Sequence, residues 1–221
     1  MRGAPAMRRS QCGFGLLEAT LALTVGLMVL AATTQLFASA HQSWRLQSAA
    51  LRLQDDARLA LLRMAQDIRQ AGMFGCLRLQ PDDFKAPTAR QAFARPLEVG
   101  PSSLSLVVAE LPGHTGAADW TLLTDCSREA QVKDGRYPGT DNLMAIPISR
   151  IRYALSGTTL MFTRRSHSQS LVDHVRELQV ALVQSPQGQR VDLQLTMYEP
   201  TLQIEQHHEL SVALRNPVPG P

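Results

Sequence analysis

The hydrophobic pattern divides the first third of the chain into two helical halves. Residues 14–40 are apolar almost without interruption, which is enough helix to cross a hydrocarbon layer of about 30 Å. In residues 41–72 charged side chains appear, and apolar ones recur at the spacing of an amphipathic helix. Arg63 and Asp67 are four residues apart, which predicts a surface ion pair on this helix. These apolar positions are Leu53, Ala57, Ala60, Leu61, Met64, Ile68 and Ala71. The pattern predicts one helix of about 85 Å that ends near Gly72.

The last third of the chain alternates with a period of two, which is typical of strands that bury one face. The alternating or strand-like runs are residues 146–155, 158–163, 178–182, 191–197 and 210–214. Ser156 and Gly157 separate the first two runs and give a hairpin signal. Residues 185–188 predict a second turn, between the runs 178–182 and 191–197. We therefore expect an antiparallel sheet over residues 141–216, packed on the apolar stripe of the helix. This is an α+β fold.

Residues 73–140 have a different composition and predict a variable, loop-rich region. Six prolines interrupt the segment, namely Pro81, Pro87, Pro96, Pro101, Pro112 and Pro138. Only residues 104–110 resemble a buried strand. Long connections of this kind in compact domains are usually functional, so contacts specific to this chain are expected here. Together with the sheet, this region forms a globular head over residues 73–221.

Charged residues near the N-terminus indicate how the apolar segment is oriented in a membrane and where it needs a partner. Residues 1–13 contain Arg2, Arg8 and Arg9 and no acid, a composition typical of the cytoplasmic side of a membrane. Glu18 lies inside the apolar run, where an unpaired charge is costly and a compensating partner is expected. Two alternatives stay open. Glu18 can be a stray acid in an ordinary signal anchor, and a secretory signal can end after Ala40.

The N-terminal residues resemble a known signal. A short basic leader, then Gly13, Phe14 and Glu18 in a long apolar run, resembles the class III signal of type IV prepilins and type II secretion pseudopilins. The resemblance implies that a prepilin peptidase removes residues 1–13, cutting between Gly13 and Phe14, and methylates the new amino group of Phe14. It also implies that the Glu18 carboxylate pairs with the terminal ammonium of a neighbouring subunit and so sets the axial register of assembly.

Internal blocks resemble a narrower group, the minor pilins of the PilW type. Residues 63–76 are similar to that group's D-I-R-x-A-G-[YF]-x-G-C signature, with Met73 preceding Phe74 here. Later blocks match in order at residues 151–153, 171–180 and 214–216. The resemblance implies a pilin-like fold, in which a long helix with a membrane half and an amphipathic half packs on an antiparallel sheet. In residues 77–140 nothing transfers except Cys126.

The cysteines fit a secreted head. Cys12 lies in the expected leader, which leaves Cys76 and Cys126 as an even pair in a compartment where disulfides persist. A disulfide between them stabilises the fold by about 4 kcal/mol in the chain-entropy model. Two free buried thiols are the alternative.

Sequence signatures of catalysis are absent. The chain has no G-x-S-x-G, no H-E-x-x-H and no phosphate-binding P-loop. His207 and His208 are adjacent, but in a strand their side chains point to opposite faces, which disfavours a shared metal ion. The acidic turns lack the spacing of a calcium-binding EF-hand. We therefore expect no enzyme activity, no metal and no cofactor.

The sequence also disfavours nucleic acid as a partner. The formal net charge is +3, but three of the arginines lie in the expected leader. The local basic clusters are Arg150 with Arg152 and Arg164 with Arg165, and neither contains an interleaved aromatic residue. Solvated strand ends account for both clusters.

The resemblance implies a non-enzymatic structural subunit. It would cross the bacterial inner membrane once, hold its head in the periplasm and then enter a cell-surface type IV pilus, where it helps prime assembly at the tip. The implied partners are the prepilin peptidase, other minor pilins, the major pilin and inner-membrane lipid, with a tip adhesin as a further candidate. The alternatives are a minor pseudopilin of a type II secretion system and a signal-anchored periplasmic enzyme or binding protein.

Overall fold

The computed structural model describes residues 15–110, 116–186 and 188–216. The chain divides into two compact units, Met1–Ser48 and Ala49–Pro221. The described residues contain one long helix, a short helix, a single 3₁₀ turn and antiparallel strands, so the fold is α+β, as the sequence predicts. The helices are α1, Leu16–Gln70, and α2, Pro87–Ala94, and the 3₁₀ turn is Pro81–Asp83.

Helix α1 is 55 residues long and matches the predicted bounds closely. Within the first unit its side chains are exposed up to residue 47. In the second unit one face is buried, and that face contains Leu53, Ala57, Ala60, Leu61, Met64, Ala65, Asp67 and Ile68. The helix ends before Gly72, whose φ of +74° is a left-handed conformation that glycine adopts without a Cβ penalty.

Ten strands occur in the described residues. They are β1 Leu97–Gly100, β2 Ser103–Ala109, β3 Trp120–Thr124, β4 Ala130–Asp134, β5 Met144–Ser156, β6 Thr159–Arg164, β7 His167–Val172, β8 Val175–Ser185, β9 Gly188–Glu199 and β10 Ile204–Ala213. Strands β1 to β7 form one sheet, in which β1, β2, β5, β3 and β4 are neighbours in that order. Strand β6 pairs with the second half of β5, and β7 pairs with β6.

A second sheet contains only β8, β9 and β10, in the order β10-β9-β8. The prediction of a single sheet over residues 141–216 is therefore wrong. A period of two shows which face of a strand is buried, but it does not show which strands are hydrogen-bonded neighbours. The predicted hairpins are present, with Ser156 opposite Thr159 and Ser185 opposite Gly188.

The apolar face of α1 joins both sheets in one core. Ala57, Met64 and Ile68 are fully buried there, in the same cluster as Leu106 and Tyr153 of the first sheet. The second sheet contributes Leu178, Val191, Leu193, Leu195 and Met197. The apolar face of α1 therefore packs against both sheets. Its burial depends on contacts between distant parts of the chain rather than on helix propensity.

The opposite face of the first sheet carries a second core beneath α2. Phe93 of α2 packs edge-on against Trp120 with ring centroids 5.8 Å apart. Residues 73–140 thus contain four strands and a helix, more structure than the predicted loop-rich region. Strand β3 escaped prediction because all five of its residues are buried, so the sequence shows no alternation there.

Candidate functional site

Glu18 lies in the first turn of α1 and is exposed, like the apolar residues around it. Its backbone N–H donates to the carbonyl of Gly15 at 3.0 Å, so the helix is already formed at this position. The carboxylate has no hydrogen bond or ion pair with any residue that the structure describes. Gly13 and Phe14, the predicted cleavage and methylation positions, lie outside the described residues, as does Cys12.

The threonine hydroxyls of this helical segment are compatible with lipid. The hydroxyls of Thr20, Thr24 and Thr33 each donate to the carbonyl three residues earlier, at 2.9 Å. Because these hydroxyls are satisfied within the helix, they carry little desolvation cost. Leu16–Gln70 is the one described helix long and apolar enough to cross a membrane, by length and composition.

An aromatic row follows the apolar run on one side of α1. The rings of Phe37 and His41 have centroids 6.5 Å apart, and those of His41 and Trp44 are 6.1 Å apart. Phe37 is 74% exposed and Trp44 is 63% exposed. Aromatic side chains concentrate at membrane–water interfaces. This row was not predicted, although its spacing of four and three residues is visible in the sequence.

A buried polar contact joins α1 to the first sheet. The hydroxyl of Tyr153 on β5 donates to Asp67 Oδ2 on α1 at 2.5 Å. Arg63, one turn earlier, donates through Nε to the same oxygen at 3.2 Å, and its guanidinium lies 5.4 Å from the centre of the Phe162 ring. Burial and the Asp67 carboxylate raise the pKa of Tyr153, so the phenol stays protonated and remains a donor.

A second set of hydrogen bonds holds the C-terminal end of α1. The side-chain amide of Asn216 donates to the carbonyl of Ala71 at 3.2 Å, and the N–H of Gly72 donates to the carbonyl of Val107 at 3.3 Å. The Asn216 amide satisfies a carbonyl at the helix end, where the last carbonyls have no partner within the helix, and the Gly72 N–H ties the turn after the helix to β2. Three of the sequence blocks quoted for the PilW resemblance, residues 63–76, 151–153 and 214–216, therefore meet at this helix–sheet junction.

Cys76 and Cys126 form a disulfide, with their Cα atoms 5.3 Å apart. The bond ties the segment after α1 to the connection between β3 and β4. Asp125 orders that connection, because its Oδ1 accepts the backbone N–H groups of Ser127, Arg128 and Glu129. These hydrogen bonds, with that from the Arg128 N–H the largest, hold the pKa of Asp125 well below its usual range.

The two adjacent histidines do not share a site. His207 is exposed, hydrogen-bonded to Thr196 at 3.1 Å and 3.3 Å from Glu205. His208 is the next residue of β10 and lies on the other face of the strand. It is half-buried, and burial, followed by the neighbouring His207, lowers its pKa. Within residues 15–110, 116–186 and 188–216, no three His, Cys, Asp or Glu side chains are grouped to hold a metal ion.

Comparison with known proteins gives no family assignment. No protein-family model, no curated protein and no solved structure matches this chain.

Proposed function

We propose that this chain is a minor pilin, a non-enzymatic subunit that helps prime assembly of a type IV pilus, with its place at the pilus tip. The observation that carries the proposal is the position of Glu18. This acid lies in the first turn of an exposed, membrane-length helix, five residues after Gly13 in the sequence. A prepilin peptidase would cut after Gly13 and methylate Phe14.

The position of Glu18 has a physical logic in assembly. An acid in the first turn is favoured by the helix dipole, but this term is small beside the cost of an unpaired carboxylate in lipid. The new ammonium group at Phe14 of a neighbouring subunit would neutralise that charge. Because an unpaired buried charge is strongly penalised, subunits would settle at the one axial offset that pairs Glu18.

The second half of α1 supports a role in assembly. Its buried face packs in the head, yet Leu51, Leu59 and Leu62 are each more than half exposed on the rest of its surface. These leucines recur at eight and three residues and lie along one side of the helix. A row of exposed leucines is suited to contact with the helices of other minor pilins and the major pilin.

The apolar half of α1 and the disulfide support the proposed location of the protein. The helix would cross the inner membrane once, with residues 1–13 in the cytoplasm before their removal. The head would lie in the periplasm, where the Cys76–Cys126 disulfide persists because the compartment is oxidising. From there the subunit would pass into the cell-surface pilus, where a tip adhesin is a further candidate partner.

The test is incorporation of a Glu18→Ala variant into sheared pili. We expect the variant to remain in the membrane and to be missing from pili, because its register contact is lost. Thr20→Ala is the matched control, since it removes a neighbouring polar group whose hydroxyl bonds only to its own helix. Normal incorporation of Glu18→Ala would contradict the proposal.

A minor pseudopilin of a type II secretion system would carry the same N-terminal helix and the same acid. Deletion of the gene distinguishes a pilus subunit from a secretion pseudopilin. Loss of surface pili and twitching supports the pilus assignment, whereas intact pili with loss of enzyme secretion supports the pseudopilin.

A further inference from the structure

A groove of about 600 Å³ opens beside the C-terminal end of α1, within the second unit of the chain. We call it the apolar groove. The segment that follows α1 and helix α2 both contribute to its lining. The large apolar side chains of this lining include Met73, Phe74, Leu77, Leu79, Phe84 and Phe93.

Three phenylalanine rings pack together in the lining. The ring centroid of Phe93 on α2 lies 4.2 Å from that of Phe74 and 5.5 Å from that of Phe84. Phe93 is buried, whereas Phe74 and Phe84 are only half-buried and still present apolar surface to solvent. Apolar surface left open in a concave site of this size is typical of a small-molecule site.

Two arginines line the same groove without an acidic partner. Arg78 and Arg90 are exposed, and neither forms an ion pair or a hydrogen bond with a described residue. Arg90 is three residues before Phe93, so the two side chains lie on one side of α2. Among the described residues, the lining contains no aspartate and no glutamate. The groove therefore combines an apolar surface with two free guanidinium groups.

The acids near the groove do not cancel this charge. Residues 73–96 contain two acids, both in the 3₁₀ turn, and four bases, which are Arg78, Lys85, Arg90 and Arg95. Asp83 Oδ2 accepts the N–H of Gln80 at 2.6 Å, within its own turn. Asp134 accepts a hydrogen bond from Thr88, which is two residues and about 200° around α2 from Arg90. Asp134 therefore lies on the other side of this helix.

The segment that follows α1 is fixed in place without a ligand. The disulfide of Cys76 ties it to the β3–β4 connection, and the N–H of Gly72 donates to the carbonyl of Val107 at 3.3 Å. A Cβ atom on Gly75 would lie 3.1 Å from Leu122 Cδ2, so the segment packs directly on the sheet. A site whose walls are already ordered loses little conformational entropy on binding.

We propose that the apolar groove binds a medium-chain fatty acid as the free anion. The carboxylate would lie against Arg78 and Arg90, and the alkyl chain would lie against the phenylalanine rings. Guanidinium groups bind carboxylates through charge-assisted hydrogen bonds. This binding would be a second function, independent of assembly into a filament.

The polar groups of the lining favour this ligand over a peptide. Apart from the two arginines, the one polar side chain among the described lining residues is that of Asn216, and its amide already donates to the carbonyl of Ala71. A peptide brings an N–H and a C=O with almost every residue, and each one removed from water without a partner is costly. A fatty acid carries all its polar atoms at one end, which matches a lining whose free side-chain donors are two guanidinium groups.

The test is a titration of the full chain with sodium octanoate in a zwitterionic detergent, followed by NMR of labelled methionine methyl groups. Met73 lines the groove and is 46% exposed, so its signal should shift saturably, with a dissociation constant on the order of 1 mM. Met161 on β6 does not line the groove, and its signal should not move. Octanoate should bind roughly tenfold or more tightly than butanoate, because it buries a longer apolar chain. Octanamide has the same chain without the charge and should bind more weakly than octanoate.

Two variants test the arginines. Arg78→Gln and Arg90→Gln should each weaken octanoate binding by roughly three- to tenfold, whereas Arg78→Lys keeps the charge and should keep most of the affinity. Arg52→Gln is the matched control, because Arg52 is exposed on α1, about 27 Å along the helix from Gln70. It changes the net charge equally and should leave octanoate binding unchanged. Both groove arginines are exposed, so their substitution leaves the core intact.

Three results would overturn the proposal. They are the absence of a saturable Met73 shift with octanoate, equal binding of octanoate and octanamide, and equal losses of affinity in Arg78→Gln and Arg52→Gln. A Met73 response to phosphatidylglycerol or to an acidic peptide, but not to octanoate, would also contradict it and would show that the groove takes a lipid headgroup or a protein segment instead.

Discussion

The hydroxyl of Tyr153 donates to Asp67 Oδ2 at 2.5 Å, across a separation of 86 residues. Asp67 is only 6% exposed, so its carboxylate depends on this donor and on Arg63 for hydrogen bonds. The contact fixes the rotation of the helix over the sheet, since moving either element by one residue would separate the two groups. A buried polar contact of this kind specifies one packing arrangement more narrowly than apolar contacts do.

Replacing Tyr153 with phenylalanine removes that donor and keeps the ring. We expect Tyr153→Phe to lower the free energy of unfolding by about 1.5–3 kcal/mol, the usual worth of a hydrogen bond to a charged group. Urea unfolding of the detergent-solubilised chain measures it. Tyr198→Phe is the matched control, because Tyr198 is partly exposed and its hydroxyl has no hydrogen bond among the described residues. Equal costs for the two variants would show that the contact contributes nothing specific.

The disulfide makes a separate prediction. Cys76→Ser combined with Cys126→Ser should lower the free energy of unfolding by about 4 kcal/mol, since the unfolded chain is no longer cross-linked over a span of 50 residues. Reduction of the wild-type protein should produce a similar loss, and the double variant should not respond to reductant. Two alkylatable thiols in protein taken from the periplasm would contradict the bond.

Asp125 predicts a specific dependence of stability on pH. Its hydrogen bonds lower the folded-state pKa below the unfolded value of about 3.9. The stabilisation is therefore present above pH 4 or so and is lost as the pH falls through the folded-state pKa. Thermal melts across this range should show wild type losing more stability than Asp125→Asn, which does not titrate.

The control for this measurement is Asp141→Asn. Asp141 is exposed and accepts no hydrogen bond from any described residue. Its substitution should therefore leave the loss of thermal stability at low pH unchanged. If Asp125→Asn and wild type lose stability in parallel on acidification, the Asp125 turn does not contribute to the pH dependence.

Trp44 predicts where the membrane surface lies on α1. If residues 14–40 cross the bilayer, Trp44 lies four residues beyond the crossing segment, at the level of the headgroups on the periplasmic side. The fluorescence difference between wild type and Trp44→Phe isolates this residue from the buried Trp120. In liposomes, lipids brominated near the headgroup should quench that difference signal more than lipids brominated near the chain ends. The opposite order would place Trp44 inside the hydrocarbon layer.

The sequence predicted the features that depend on local periodicity. The apolar stripe of α1 and the hairpins around Gly157 and Gly188 appear as expected, because their patterns repeat within a few residues. The separation of the strands into two sheets was missed, since pairing is decided by contacts between distant segments. Strand β3 was missed because its five buried residues show no alternation.

Functional and buried polar residues were predictable only where their signal is local in the sequence. Glu18 is conspicuous in the sequence because a carboxylate interrupts a uniform apolar run. Asp67 looked like a surface partner of Arg63, and only the position of Tyr153 shows that its carboxylate is buried.

The most direct test of the proposed function is the intact mass and N-terminal sequence of the protein extracted from membranes of cells that contain a prepilin peptidase. The pilin pathway predicts a chain that begins with N-methylated Phe14. An intact leader, or a chain that begins after Ala40, would contradict it and point to a signal-anchored or secreted protein.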